Sequence, residues 1–303
     1  MFSRSSSVAL ALATVYIVWG SSYLAIRVGM RDLPPFLFAG LRFCFAGALM
    51  LGWARWRGYK LPMQGADWRS IAVSAVAMLV IGNGLVTWAE QWVESNQAAL
   101  IVATSALWIS WFGTFGERGE SINALTVAGL LVGFGGVAGL VAGGIQLQQA
   151  PLSAYLALLV ATVGWAFGSV YLRRRPPACS AWVGAALQML VAGALMCGIG
   201  LLRGEAARWH WTGQGAAAFV YLVLFGSCLA YGAYFWLVQQ VTPALLGTYA
   251  YVNPAVAVVL GWLLLDERLA ALQWAGTLVI LAGVVLVTLA TRRPAPVSVK
   301  VIN

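Results

Sequence analysis

The sequence predicts an all-α membrane protein, ten transmembrane helices arranged as two inverted five-helix repeats, and three observations carry that prediction. The 303-residue chain is 61% hydrophobic and only 9% charged, against about 45–50% and about 25% in an ordinary soluble domain. Its apolar residues come in runs close to the roughly 20 needed to cross a bilayer core of about 30 Å. Short blocks of sequence also recur at a spacing of 146 to 147 residues.

The apolar runs lie near 7–28, 34–54, 70–90, 96–116, 122–142, 152–172, 178–202, 214–238, 242–265 and 270–290. They are continuous, not alternating, which favours helices over a barrel. The loops between them are short, so residues 1–303 read as one integral membrane domain. The opening MFSRSSSVALALATVYIVWG has the basic flank and apolar run of a signal peptide. It continues through Tyr23 to Val28 without a convincing cleavage site and reads as a retained first helix. Cys44, Cys179, Cys197 and Cys228 all fall in apolar segments, without metal-ligand spacing or a secreted disulfide framework. Neither a metal nor a cofactor is expected.

Lys and Arg accumulate on the cytoplasmic side of membrane proteins. With the N-terminus inside, the inner loops and tail hold Arg4, Arg55, Arg57, Lys60, Arg69, Arg118, Arg173, Arg174, Arg175, Arg292, Arg293 and Lys300, and the outer side holds Arg27, Arg31, Arg203, Arg208 and Arg268. That imbalance favours both termini in the cytoplasm. It also accounts for the net charge of +9 through anionic lipid, without any nucleic acid.

AGALM stands at 46–50 and again at 192–196, and ALTVAGLLVGFGGV at 124–137 aligns without gaps to ALQWAGTLVILAGV at 271–284, with eight of fourteen positions identical. The same register brings Glu120 onto Glu267 and Trp19 onto Trp165, with Pro34-Pro35 close to Pro176-Pro177. A nearly constant offset along several segments argues for duplication, with halves near 7–142 and 152–290. An odd number of helices per half enters the second copy upside down, the architecture of many secondary transporters, whose substrate site lies near the midplane between the halves. A helical scaffold enlarged by duplication is the other reading.

WGSSYLAIR at 19–27, LRF at 41–43, AALIVATSALW at 98–108 and YVNPAVAVVLGWLLLDERL at 251–269, set in ten helices, resemble the EamA family of the drug/metabolite transporter superfamily. The resemblance spans essentially the whole chain. It implies an inner-membrane exporter of a small metabolite, with the bacterial aromatic amino-acid exporters as the nearest functional model. A drug or nucleotide-sugar carrier of the same fold and a non-transporting scaffold are the alternatives, and the oligomeric state stays open. One departure concerns the fourth helix, where the family usually carries a proline and this chain has Ala106, while the second half keeps Pro254.

Arg42 lies about eight residues into the second helix, where a charge costs about 2.5–3.5 kcal/mol on insertion scales and asks for a partner or a wet cavity. The AGALM register places Gln188 at the matching position, which makes the two a candidate polar pair for a substrate carboxylate. Alternatively, Arg42 ties the first helix to the bundle. Glycines interrupt the third helix at IGNGL, 81–85, and the eighth at FGSCLAYG, 225–232. Paired interruptions point to a binding site, though close packing explains each glycine equally. Gly82, Gly84, Gly226 and Pro254 are therefore hinge candidates, with Asn83 and Ser227 favouring a cavity. Pro254 frees the carbonyl of Ala250. Around it, Asn253, Tyr249, Tyr251, Tyr231 and Tyr234, with Trp19, Ser22, Tyr23, Trp108, Trp165 and Ser169, form a polar and aromatic set that lines a site or, ring by ring, an interfacial belt.

All nine acidic residues, Asp32, Asp67, Glu90, Glu94, Glu117, Glu120, Glu205, Asp266 and Glu267, lie in loops or near helix ends, and the sole histidine is His210. Protons commonly cross membranes on buried Asp, Glu or His, so the pattern leans toward facilitated diffusion or exchange, with Glu90 nearest to membrane depth. A membrane enzyme lacks support, since no HExxH or G-x-S-x-G element is present.

Overall fold

A computed structural model describes residues 4–62, 64–93, 98, 101–116, 119, 121–142, 150–265 and 271–290. Glu94, Glu117, Arg118, Glu120, Asp266, Glu267, Arg268, Arg292, Arg293 and Lys300 fall outside the described residues. The described chain is helical throughout. Its long elements are α1 (Arg4–Gly29), α2 (Pro35–Trp56), α3 (Gly65–Ala89), α4 (Ile101–Gly113), α5 (Ala124–Ala142), α6 (Leu152–Arg174), α7 (Ala181–Leu202), α8 (Gly213–Gln240), α9 (Tyr249–Leu265) and α10 (Ala271–Ala290). A 3₁₀ turn at Glu205–Arg208 precedes α8, and a one-turn helix, Pro243–Gly247, precedes α9.

Six of these, within α1, α2, α3, α6, α7 and α8, are long and apolar enough to cross a membrane, and α4, α5 and α10 contribute shorter apolar helices among the described residues. Pro35 opens α2 at a position where a missing N–H costs nothing. Ser180 caps α7 by accepting from the Val183 amide, and Thr212 caps α8 by accepting from that of Gly215. Large apolar side chains such as Leu10, Leu131, Val160 and Leu278 point outward, as lipid-facing surfaces require.

Lipid tails are as apolar as leucine, so helices associate through close packing of small residues. The chain does this in reciprocal fashion. A methyl group at Gly47 would lie 2.8 Å from the Ala186 carbonyl oxygen and 2.9 Å from Leu190 Cγ, while one at Gly193 would lie 2.8 Å from the Gly40 carbonyl oxygen and 2.7 Å from Cys44. Every residue of one contact is thus shifted 146 places from its counterpart. Between α5 and α10, Gly136 would meet the Gly276 carbonyl at 2.9 Å and the Ile280 amide at 2.7 Å, and Gly283 would meet the Gly129 carbonyl at 2.8 Å and the Gly133 amide at 2.5 Å, a shift of 147. Two carboxylates also tie distant segments together: Glu205 Oε2 accepts from the Leu37 amide in the first turn of α2 at 2.8 Å, and Asp67 Oδ1 accepts from the Ala178 amide just ahead of α7 at 2.9 Å.

The glycine-interrupted segments differ from ordinary helix. Ala75–Asn83 in α3 and Leu222–Tyr231 in α8 are wound as π-helix, a rare form that recurs at functional sites. Gly82 and Gly226 lie within these segments and Gly84 follows the first. Pro254 sits inside α9.

Candidate functional site

The two π segments face a cavity of about 820 Å³, counted with the open space at its mouth. α1 contributes Trp19, Ser22, Tyr23 and Ile26, and α2 contributes Arg42 and Phe43. α3 adds Leu79, Gly82, Asn83 and Val86, α4 adds Val102 and Ser105, and α6 adds Ala161, Thr162 and Trp165. Leu222, Gly226, Ser227 and Tyr231 come from α8, and Tyr249 and Asn253 from α9.

The aromatic end is built around Trp19 and Trp165, the residues that the repeat superposes. Their rings meet edge to face at 5.6 Å, the geometry that their quadrupoles favour. Trp19 Nε1 donates to the Gly226 carbonyl at 3.1 Å. Trp165 Nε1 donates to the Tyr234 hydroxyl at 3.1 Å, which also shares a hydrogen bond of 2.8 Å with Ser169. Gly82 lets Trp165 approach, since a methyl there would lie 3.0 Å from the indole. Tyr249 packs edge to face on both Trp19 and Tyr234, and one turn before Trp19 the Tyr16 hydroxyl shares a 2.5 Å bond with Thr248.

The polar end centres on Arg42, which is 5% exposed. Its Nη2 donates to Asn83 Oδ1 at 2.9 Å and its guanidinium lies 4.3 Å from the Phe43 ring centroid, while Nε has no acceptor. A buried group left unpaired costs about 1–3 kcal/mol. Asn253 and Ser105 are also buried, beside the Tyr23 and Tyr249 hydroxyls. The cavity wall therefore sets one charged donor, Arg42, among neutral polar side chains such as Asn83, Ser105 and Asn253 and the rings of Trp19, Trp165 and Tyr249.

The sequence-predicted residues divide sharply. Trp19, Ser22, Tyr23, Arg42, Asn83, Trp165, Tyr231, Tyr249 and Asn253 line one cavity, together with Gly82 and Gly226. Tyr234 and Ser169 stand one layer behind Trp165, fully buried. Gln188 does not reach Arg42. Fully buried, it donates to Ser74 and accepts from the Tyr231 hydroxyl. Trp108 turns away and packs on Trp111 and Phe112. Sequence reasoning missed Val102, Ser105 and Thr162, small residues whose types carry no signal of a site. Among the described residues, no group of three or more His, Cys, Asp and Glu gathers as metal ligands would.

An all-helical bundle with an apolar exterior and a central cavity holding an arginine among aromatic rings defines a membrane transport protein. The model of the EamA-like transporter family matches residues 6–142 and again residues 152–289, and the chain belongs to that family. It is 40% identical over 280 residues to the inner membrane transporter YedA of Escherichia coli K12, covering 92% of this chain and 90% of that protein. With the transporter YvbV of Bacillus subtilis it shares 28% identity over 92% of this chain and 90% of the relative. A solved crystal structure at 25% identity superposes with a TM-score of 0.79 over 96% of this chain and 100% of the other.

Proposed function

We propose that this protein exports a small metabolite, an amino acid with an apolar or aromatic side chain, across the inner membrane by alternating access. The observation that carries the reading is the cavity's composition. An unspent Arg42 Nε at one end suits a carboxylate, and the Trp19, Trp165 and Tyr249 rings at the other suit an apolar or aromatic side chain. A nucleotide-sugar carrier would need further cations for its phosphates, and Arg42 is the one arginine or lysine on the cavity wall.

In this reading the chain is one transport domain of ten transmembrane helices, built as inverted repeats at about 7–142 and 152–290, with both termini cytoplasmic. The double match to the family model, the reciprocal glycine contacts and the paired π segments support the repeat. Rocking of the halves about the central cavity then exposes Arg42 to each side in turn. With no acidic or histidine side chain among the described residues of the cavity wall, where Glu90 stands just beyond Val86, substrate in this reading runs down its own gradient or in exchange.

The experiment is flux in protein-only liposomes with amino acids, hydrophobic drugs and nucleotide-sugars. Efflux of apolar or aromatic amino acids without an imposed proton gradient is the expected result. Movement of drugs or nucleotide-sugars alone overturns the substrate, and absence of any flux favours the scaffold. A single cysteine at Gly58, in the loop after α2, reports topology: labelling by an impermeant reagent from outside intact cells overturns the orientation.

A further inference from the structure

One buried charge beside the cavity has no role in the account above. Val86 lines the wall on α3 and Ile26 lines it on α1, two turns beyond Trp19 and away from the aromatic end. One turn past Val86 stands Glu90, whose amide donates to the Val86 carbonyl at 3.0 Å and ends the helix. Both of its carboxylate oxygens are buried, and neither has a hydrogen-bond partner among the described residues. Arg27 on α1 and Arg42 on α2 are within electrostatic reach of it, and so is Tyr23. Yet the guanidinium of Arg42 donates to Asn83, not to Glu90, and its Nε stays unpaired.

An unpaired carboxylate buried away from water is among the costliest groups a protein can hold, and removing its partner typically costs about 3–5 kcal/mol. Here two opposite charges, Arg42 on the cavity wall and Glu90 one turn beyond the wall residue Val86, feel each other without closing into a pair. The group that satisfies both is one that carries a cation and a carboxylate side by side. A substrate ammonium brings three donors for the two oxygens of Glu90, and a substrate carboxylate accepts from Arg42 Nε.

We propose that Glu90 binds the ammonium group of a zwitterionic substrate whose carboxylate is held at Arg42, so that the two together select α-amino acids over compounds lacking either charge. This rests on the amino-acid reading of the cavity and adds a residue to it. It also explains why Glu90 and Arg42 do not form an ion pair with each other: a direct pair would leave neither charge for the substrate.

The experiment measures competition against efflux of a labelled aromatic amino acid from liposomes. Phenylalanine is compared with 3-phenylpropionate, which lacks the ammonium group, and with phenethylamine, which lacks the carboxylate. The parent is expected to prefer phenylalanine to 3-phenylpropionate by about tenfold or more, the worth of one charge-assisted hydrogen bond. In Glu90→Gln that ratio falls toward one, because phenylalanine weakens and 3-phenylpropionate does not. Glu90→Asp keeps part of the preference, which separates loss of charge from a folding defect, and the ratio is internal to whatever fraction folds. An unchanged ratio in Glu90→Gln overturns the proposal. So does loss of a proton-driven component with the ratio intact, which would make Glu90 a proton carrier. If the parent moves no amino acid, the substrate reading falls first and this proposal with it, a result distinct from normal flux with an unaltered ratio.

Discussion

Arg42 and Gln188 stand 146 residues apart, at matching places in α2 and α7, and their surroundings could hardly differ more. Arg42 faces the cavity with one donor held by Asn83 and another unspent. Gln188 is held between Ser74 and Tyr231 and is not on the wall of that cavity. The backbone contacts of the two helices are nevertheless reciprocal, down to the glycines that let them touch. Symmetry of the scaffold therefore does not extend to its chemistry. On the proposed function, one copy of the position supplies a charge for a ligand, and the other supplies a hydrogen bond to Tyr231, itself a cavity residue, so that Gln188 would act through Tyr231 as a positioning residue.

The largest effect that tests this contrast comes from Arg42. Truncation to alanine removes the charged donor, and the expected loss in flux is about 10–100-fold, from about 1.5–3 kcal/mol for a hydrogen bond to a charged group. Arg42→Lys already impairs transport, because a point charge cannot reproduce the planar fork. An Arg42→Lys protein that folds normally and still separates amino acids from their carboxamides as the parent does would remove the carboxylate role. The aromatic set and Asn253 would then remain as the site. A structural Arg42 predicts something else: low yield in detergent, with the surviving protein treating acid and amide alike.

Gln188→Leu comes next, and it breaks the comparison from the other side. It strips the buried Tyr231 hydroxyl of its acceptor and Ser74 of a donor, at an expected cost of about 1–3 kcal/mol in stability. Thermal melting in detergent should fall accordingly, while apparent substrate affinity in the folded fraction stays within about threefold. A tenfold loss of affinity at parental stability would put Gln188 at the substrate after all. Tyr231→Phe separates the two contributions, since it removes the hydroxyl and keeps the ring that Trp165 packs against.

Much of this was legible in the chain before any coordinates, and the parts that were not have physical reasons. Trp19 and Trp165 meet because the repeat superposes them and large rings at membrane depth need partners. Glycines at 82 and 226 announced disturbed helices, and Pro254 a bent one. The π winding was not legible, because it shifts hydrogen bonds by one residue and leaves no trace where nearly every residue is apolar. That shift matters: a single residue turns a helical side chain by roughly 100°, enough to direct Asn83 or Tyr231, each at the end of a π segment, into the cavity or away from it. Ser105 and Thr162 were silent, since small hydroxyls in membrane helices usually bond their own backbone. Glu90 was visible as the deepest carboxylate, but only packing reveals that both its oxygens are buried without a partner.

The smallest expected effect belongs to Trp108, and it is informative for that reason. Trp108 and Trp19 are both tryptophans at membrane depth, and the sequence offers nothing to rank one above the other. In the structure Trp19 lines the cavity, donates to the Gly226 carbonyl and packs on Trp165, Tyr234 and Tyr249. Trp108 instead joins a stack with Trp111 and Phe112 along α4, off the cavity wall. Replacing Trp108 by phenylalanine keeps an aromatic ring in that stack and removes no contact with the cavity, so flux and substrate competition should match the parent within about twofold, with stability within about 1 kcal/mol. The same change at Trp19 removes the indole donor and part of the packing beside the substrate, with an expected loss of about 1–3 kcal/mol, read as weaker competition by aromatic amino acids and little change for small aliphatic ones. Equal losses at the two positions would mean that the aromatic residues act as bulk in the bilayer, and the cavity would lose its claim to read the side chain.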